Sequence, residues 1–334
     1  MNVAVVSTAA IATPPSGYGG IEKLVYLLVK QLEKRHNVSL FAAADSYEPN
    51  GGLYVGGTEI ELARSLYEVI KDMSKIYDVV IDWSHMKHAT TYLQLRDFRK
   101  RPKTINMVFW TDMLGYGYNV FPSNAVKRAY LQINPELNQD GKVALIPPGI
   151  DVERYPRVKD KEDYFLYFGR IIPEKGVKEL IHIGNALGIE LIVAGHIGQF
   201  SYDKKYVEDV KSLCTGRIHF LGDVDEKQKI DLIAHAAAVM HRPNWLESFW
   251  IVGCEALACG TPLIVSLDSG GPAEQVVHGK TGFICSTLKD WQEAVSSIRN
   301  INPDECIRRA HYFSDERMGF DWLNLISHVV REIT

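Results

Sequence analysis

Two carboxylates stand eight positions apart in the stretch Glu247-Ser248-Phe249-Trp250-Ile251-Val252-Gly253-Cys254-Glu255. The chain continues through Ala256-Leu257-Ala258-Cys259-Gly260, which reads as a helix that stops at glycine and feeds a buried strand over Pro262–Val265. The pattern places both glutamates at the opening of that helix. Eight helical steps carry the second carboxylate about 80° around the axis and ~12 Å along it. Such a pair is too far apart to act as acid and base on one atom. It suits a long ligand gripped at two points. The competing reading is an amphipathic core helix with two solvated glutamates, and the pair alone does not decide between them.

Cations come from a second segment. An apolar run over Tyr164–Phe168 is followed by Gly169-Arg170-Ile171-Ile172-Pro173-Glu174-Lys175-Gly176. A strand that ends in Gly-Arg, turns at proline and opens a helix after Lys-Gly delivers two cations to the carboxyl edge of a parallel sheet. Ligands bind at that edge in open α/β folds. Arg170 offers a planar fork for phosphate oxygens and Lys175 a point charge. With backbone N–H groups at the start of the Glu255 helix, they would hold a diphosphate without a metal ion. An arginine and a lysine that merely solvate a loop are the alternative.

In the first half, Pro14-Pro15-Ser16-Gly17-Tyr18-Gly19-Gly20-Ile21-Glu22 follows the first strand and opens a helix. It lacks GxGxxG spacing, so a dinucleotide fingerprint is not supported. Gly19 and Gly20 would let the backbone approach a ligand closely, and the helix N-terminus favours phosphate. A plain turn would look the same.

These segments need a scaffold. A chain of 334 residues exceeds one ordinary core, so two domains are expected. Apolar content of 46% and charged content of 23% suit a water-soluble globular protein. No apolar run approaches the ~18 residues of a membrane span. The opening Met1-Asn2-Val3-Ala4-Val5-Val6 reads as a first buried strand, not a signal peptide. Five dispersed cysteines without a CxxC pair point to reduced thiols in a cytoplasmic protein, not to a disulfide frame or zinc site. A net charge of −4 gives no support to nucleic-acid binding. The most basic run, Arg96, Arg99, Lys100, Arg101 and Lys103, would dock an anionic membrane surface or a phosphate-bearing acceptor, or simply solvate a helix end.

Short β-branched runs alternate with helical stretches throughout, the pattern of parallel α/β layers. Strands are expected over Val3–Ser7, Val38–Ala43, Asp78–Asp82, Thr104–Phe109 and Val143–Ile146, then Tyr164–Phe168, Glu190–Ala194, Arg217–Leu221, Ala237–His241, Pro262–Val265 and Gly282–Cys285. Helices are expected over Ile21–Lys34, Val177–Leu187, Glu226–His235 and Phe313–Val330. The break at Pro147-Pro148-Gly149-Ile150-Asp151, followed by the charged stretch Arg157–Asp163, divides the chain. The expected fold is therefore α/β, with two Rossmann-like parallel-sheet domains facing a cleft. The domains run over residues 1–150 and 151–312, with a last helix over 313–334.

In this order the segments resemble the motifs of retaining glycosyltransferases of family GT4, which have the two-domain GT-B architecture. Glu247 and Glu255 match its E-x7-E signature, and Gly169–Gly176 its "GR…P.KG" block. Arg242–Trp250 is similar to its "PS..E.FG" loop, Ser269–Glu274 to its "GG..E" loop and Gly279–Phe283 to its "G.TGF" turn. Gly19–Glu22 looks like its "GGIE" loop, Pro147–Asp151 like its hinge, and Phe313–Met318 like its "FSWERM" start of a helix that crosses back to the first domain. Trp250 stands where glycine is usual, and a ring there would narrow the sugar pocket.

The resemblance implies a set of roles. Glu247 contacts hydroxyls of the transferred sugar, and Glu255 accepts from the ribose. Backbone groups of Ile251 and Val252 meet phosphates or ribose, with Gly169 beside them. Arg170 and Lys175 stabilise the departing nucleoside diphosphate, while Gly19 and Gly20 line the opposite side. His85 takes the role of the family's sugar-contacting histidine, with Asp112 and His88 as alternatives. The implied reaction moves a sugar from a nucleoside-diphosphate sugar to a hydroxyl of a glycan, a lipid-linked acceptor or a small molecule. It retains configuration and uses no metal or other cofactor. The place of work is the cytoplasm, or its inner membrane face through a peripheral contact. The alternative is a catalytically weak GT-B protein that binds a nucleotide sugar as a regulatory or partner subunit. Acceptor choice falls to the loops Ala44–Thr58 and Leu114–Ala125, where Tyr47, Tyr54, Tyr116 and Tyr118 suit stacking on a sugar face.

Overall fold

The computed structural model describes residues 1–71, 76–95, 101–110, 115–138, 141–197 and 201–331. The chain divides into two compact units, Met1–Ile150 with Ser314–Thr334, and Asp151–Phe313.

In the first unit the strands are β1 (Asn2–Val6), β2 (Asn37–Ala42), β3 (Leu53–Val55), β4 (Val79–Asp82), β5 (Lys103–Met107), β6 (Tyr118–Phe121) and β7 (Val143–Leu145). The helices are α1 (Gly20–Leu32), α2 (Glu59–Lys71), α3 (His88–Gln94) and α4 (Asn124–Ile133). Among the described residues the sheet is wholly parallel, in the order β3-β2-β1-β4-β5-β6-β7. The order reverses at β1, where Val6 registers with Phe41 on one side and Asp82 on the other. The strand ends beside that reversal are the ligand edge of such a sheet. Strands covered on both faces read as apolar runs, as residues 3–6 of β1 and 79–81 of β4 do. Helix α1 buries Leu24, Val25, Leu28, Val29 and Leu32, and α2 sends Leu62, Leu66 and Ile70 into a core with Phe41, Tyr77, Val80 and Leu93.

The second unit has β8 (Tyr164–Phe168), β9 (Glu190–Ala194), β10 (Ile218–Gly222), β11 (Ala238–His241), β12 (Leu263–Ser266) and β13 (Gly282–Cys285). Its helices are α5 (Val177–Leu187), α6 (Ser201–Leu213), α7 (Glu226–His235), α8 (Ile251–Ala258), α9 (Gly271–Gln275), α10 (Leu288–Ser297) and α11 (Pro303–His311). Its parallel sheet runs β10-β9-β8-β11-β12-β13. Side-chain caps start several helices. Asp225 and Gln228 form a reciprocal capping box on α7, and Asn302 with Pro303 opens α11. All five cysteines are free thiols.

The last helix, α12 (Asp315–Arg331), belongs to the first unit. It is anchored where the Pro-Pro-Gly run ends. The Asp315 N–H donates to Ile150 O at 2.9 Å, and Gln31 Nε2 donates to Asp315 Oδ2 at 2.6 Å. A Cβ at Gly149 would lie 2.3 Å from Ser314 O, so only glycine admits this crossing.

Two expected loops hold strands. The segment Ala44–Thr58 contains β3, and Leu114–Ala125 contains β6 and the start of α4. Both strands are short and lack an alternating pattern long enough to read. The tyrosines placed there are mostly occupied: Tyr118 is buried in β6, Tyr54 stacks on Phe41 at 4.5 Å, and Tyr47 bonds Lys30 and Glu33. Tyr116 alone of the four is exposed. Of the basic run, Arg96, Arg99 and Lys100 lie outside the described residues, as does Asp112. No described helix is long and apolar enough to cross a membrane.

Candidate active site

Glycine and a small amide stitch together the two loops that carry Lys175 and Glu247. After β8 the chain makes a short 3-10 turn over Pro173–Lys175 and ends it at Gly176 with φ 64°. A Cβ at Gly176 would sit 1.8 Å from Arg242 O, so the glycine lets the loop after β11 lie directly against this turn. Asn244 then fastens the two. Its N–H donates to Glu174 O at 2.9 Å and its Nδ2 to Pro173 O at 3.0 Å.

Glu247 lies in that second loop and not on a helix. Helix α8 begins only at Ile251, so the helical spacing expected between Glu247 and Glu255 does not apply. A short parallel bridge to Gly270 holds Glu247 instead: its N–H donates to Ser269 O (3.0 Å) and its carbonyl accepts from Gly271 N (2.8 Å). Asn244 and Glu247 thus find backbone partners outside any helix, which the sequence pattern did not reveal.

The Glu247 side chain is 8% exposed and pairs with Lys175, itself 14% exposed. Trp245 Nε1 donates to the same oxygen, Oε2, at 3.2 Å, and the Trp245 ring lies 5.3 Å from Lys175 Nζ. His241 Nε2 is 3.5 Å from Oε2. Burial by itself would raise the Glu247 pKa. The His241 contact and the Lys175 charge outweigh it and hold the carboxyl at about 2. Burial pushes His241 below its usual value, favouring the neutral ring.

Arg170 lies just past the end of β8, half-buried. Its guanidinium makes no hydrogen bond or ion pair with another described residue, while Tyr167 Oη fixes its backbone by donating to Arg170 O at 2.7 Å. Gly169 N–H donates to Ala194 O at 3.2 Å. The N–H groups of Ile251 and Val252 start α8 and find no acceptor among the described residues, as the first amides of a helix do. Trp250 caps that end. It is buried, with its ring flat on His241 (4.6 Å, 11°).

Glu255, on α8, is 1% exposed. Tyr155 Oη donates to its Oε1 at 2.8 Å and Lys229 Nζ at 2.9 Å. Burial would lower the Lys229 pKa, but Glu255 and Glu226 raise it above the ordinary value. Lys229 also faces the ring of Phe168, at 5.9 Å, just before Gly169 and Arg170.

Sequence reasoning therefore missed four participants. Trp245 and His241 stand beside Glu247, and Tyr155 and Lys229 beside Glu255. A histidine inside a buried strand was a legible signal; a lysine on the amphipathic α7 was not.

In the first unit, Gly19 (φ 149°) is the N-cap of α1 and Gly20 its first residue. A Cβ at Gly19 would lie 2.8 Å from Pro15 Cβ. Glu22, buried in the first turn, accepts from Thr8 Oγ1. His85 is 43% exposed at its side chain. Glu59 Oε1 accepts from its N–H (2.8 Å) and contacts Nδ1 at 3.0 Å, and the ring stacks on Trp110 at 5.5 Å. His88 opens α3, half-buried.

Comparisons with known proteins bear on this arrangement. Residues 151–316 match the family described as glycosyl transferases group 1. A glycogen synthase from Mycobacterium tuberculosis (strain ATCC 25618 / H37Rv) is 31% identical over 194 residues, covering 54% of this chain and 45% of the relative. The chain spans about half the length of the curated relatives it matches first. Among solved structures, AviGT4, a glycosyltransferase involved in avilamycin A biosynthesis, superposes with a TM-score of 0.76 at 22% identity, covering 99% of this chain and 98% of its own. Anabaena Alr3699/HepE, solved in complex with UDP-glucose, superposes with a TM-score of 0.71 at 16% identity, covering 98% and 100%. These likenesses give the fold as GT-B, with two Rossmann-like parallel-sheet domains. The match over residues 151–316, which contains Arg170, Lys175, Glu247 and Glu255, makes this chain a member of the glycosyl transferases group 1 family.

Proposed function

We propose that this chain is a retaining glycosyltransferase that moves a sugar from a nucleoside-diphosphate sugar to an acceptor hydroxyl without a metal ion. The observation that carries the reading is the meeting of Lys175 with Glu247 on loops that also present Arg170. A cation, a carboxylate and an unengaged guanidinium at the ends of β8 and β11 suit a sugar diphosphate. Glu247 accepts from sugar hydroxyls. Arg170 and Lys175 face the diphosphate, with the amides of Ile251 and Val252 beside them. Glu255 serves the ribose. The UDP-glucose bound by Alr3699/HepE supports this class of donor.

In the proposed reaction the bond between the anomeric carbon and the phosphate oxygen breaks first, and its electron pair leaves on the phosphate. The cations and helix amides stabilise that charge. The acceptor oxygen attacks from the face the phosphate leaves, and its proton passes to the leaving phosphate oxygen. The anomeric configuration is retained and no strong enzymic base is needed. His85 is the residue proposed to meet the transferred sugar from the first domain, and Gly19 and Gly20 line that side. Acceptors are glycans, lipid-linked sugars or small hydroxylated molecules. Five free thiols suit a cytoplasmic place of work, including a peripheral contact with the inner membrane face.

The test is a panel of UDP-, GDP-, ADP- and dTDP-sugars, scored first by thermal stabilisation and then by donor turnover. A ligand at ~100 times its Kd adds about 2.7 kcal/mol of stability. One base should stabilise the protein and be consumed. Stabilisation without turnover against any acceptor would favour a nucleotide-sugar-binding partner subunit, and no stabilisation at all would sink the reading.

A further inference from the structure

Three groups converge on one oxygen of Glu247. Lys175 Nζ pairs with Oε2, Trp245 Nε1 donates to it, and His241 Nε2 is aimed at it. No described residue hydrogen-bonds the other oxygen, Oε1. Each carboxylate oxygen offers about two lone-pair positions, so Oε2 is filled and an incoming hydroxyl meets Oε1.

The two aromatic partners are themselves held. His241 is fully buried between the rings of Trp250 (4.6 Å, 11°) and Tyr167 (6.3 Å, 30°). Neither of its ring nitrogens completes a well-formed hydrogen bond to a described residue. Stability alone would favour an apolar ring at such a position, because an unsatisfied buried polar group is costly. What the imidazole has there is Glu247. Trp245 ties the same carboxylate to Lys175, donating with its edge and lying against the ammonium with its face.

We propose that Trp245 and His241 are positioning residues for Glu247, holding its carboxylate so that Oε1 faces a hydroxyl of the donor sugar. The inference rests on the function proposed above. It assigns the orientation of Glu247 to two side chains outside the set proposed above to bind sugar and diphosphate.

The test compares affinities for a nucleotide sugar and for its bare nucleoside diphosphate, using UDP-glucose with UDP, GDP-mannose with GDP, and ADP-glucose with ADP on the full chain. Trp245→Phe keeps the ring beside Lys175 and removes the N–H. His241→Phe keeps the stack on Trp250 and removes Nε2. Each should lower nucleotide-sugar affinity about tenfold while leaving nucleoside-diphosphate affinity unchanged. His241→Gln, which restores an N–H donor, should recover part of the loss, and Glu247→Gln sets its full extent. An unchanged ratio in both Phe variants would overturn the proposal. So would an equal fall in both affinities, the signature of a merely structural role. A wild-type protein that binds none of the six ligands, nor any dTDP-sugar of the panel above, would instead remove the functional reading itself, before any variant is compared.

Discussion

The indole of Trp322, on the last helix, lies 6.0 Å from that of Trp83, which directly follows β4, and neither ring reaches solvent. A residue near the end of the chain thus completes the core of the first unit. Replacing so large a buried ring with alanine leaves a cavity the surroundings fill only in part. Trp322→Ala should therefore destabilise that unit by about 3–5 kcal/mol. Urea denaturation followed by circular dichroism checks this, and a loss below about 1 kcal/mol would mean that the helix contributes little to the core.

Lys229 and Glu255 form a pair in which the lysine side chain is 12% exposed and the glutamate 1%. Removing one partner strands the other charge in a poorly solvated place, at a cost of about 3–5 kcal/mol. Lys229→Met should show this loss, and Lys229→Met combined with Glu255→Leu should show less than the two single losses summed. The pH dependence has a definite sign. The folded pKa of Lys229 is raised, so its contribution is complete below about pH 10.4 and disappears as pH climbs through the folded value. Alkaline denaturation of the wild type should lose that contribution, and the Met variant should have none to lose.

Sequence periodicity revealed the strands that sit in the middle of the sheets. Expected and observed limits coincide for Tyr164–Phe168, an apolar and almost wholly buried run in the middle of its sheet, and also for its neighbour Glu190–Ala194 and the edge strand Gly282–Cys285. Leu53–Val55, at the sheet edge, and Tyr118–Phe121, after a glycine-rich turn, are too short to carry a period of two. At the site, residue types were legible and their setting was not. Glu247 could be picked out beside Glu255, but a loop held by the backbone of Ser269 and Gly271 has no periodicity, so it read as part of a helix. Lys229 and Tyr155 reach Glu255 from 26 and 100 positions away, a distance at which local pattern carries no information.

Two carboxylates should govern acid stability. Burial would raise Glu59, but His85 and the N–H groups of His85 and Met86 outweigh it and bring Glu59 to about 2, as Lys175 and His241 do for Glu247. A depressed folded pKa stabilises the fold above the unfolded value of about 4.3, and the gain is lost as pH falls toward 2. Glu59→Gln and Glu247→Gln should each melt lower than wild type near pH 6, with the gap narrowing between pH ~4.5 and ~2.5. Melting curves over that range check it. A gap that stays constant with pH would show that the amide variants lose packing and not charge.

Arg170 offers the sharpest kinetic prediction, because its guanidinium has no partner among the described residues while its backbone is fixed by Tyr167. Truncation removes no intramolecular bond that the described structure contains, so Arg170→Ala should melt within about 0.5 kcal/mol of wild type. In the proposed reaction, however, it faces charge that grows on the leaving phosphate. Losing such a group costs about 10²–10³ in rate at saturating donor, more than it costs in donor affinity. Arg170→Lys keeps the charge and gives up the planar fork, so it should fall between the two. Near-full turnover by Arg170→Ala at saturating donor would remove Arg170 from the proposed chemistry and leave Lys175 as the cation at the diphosphate.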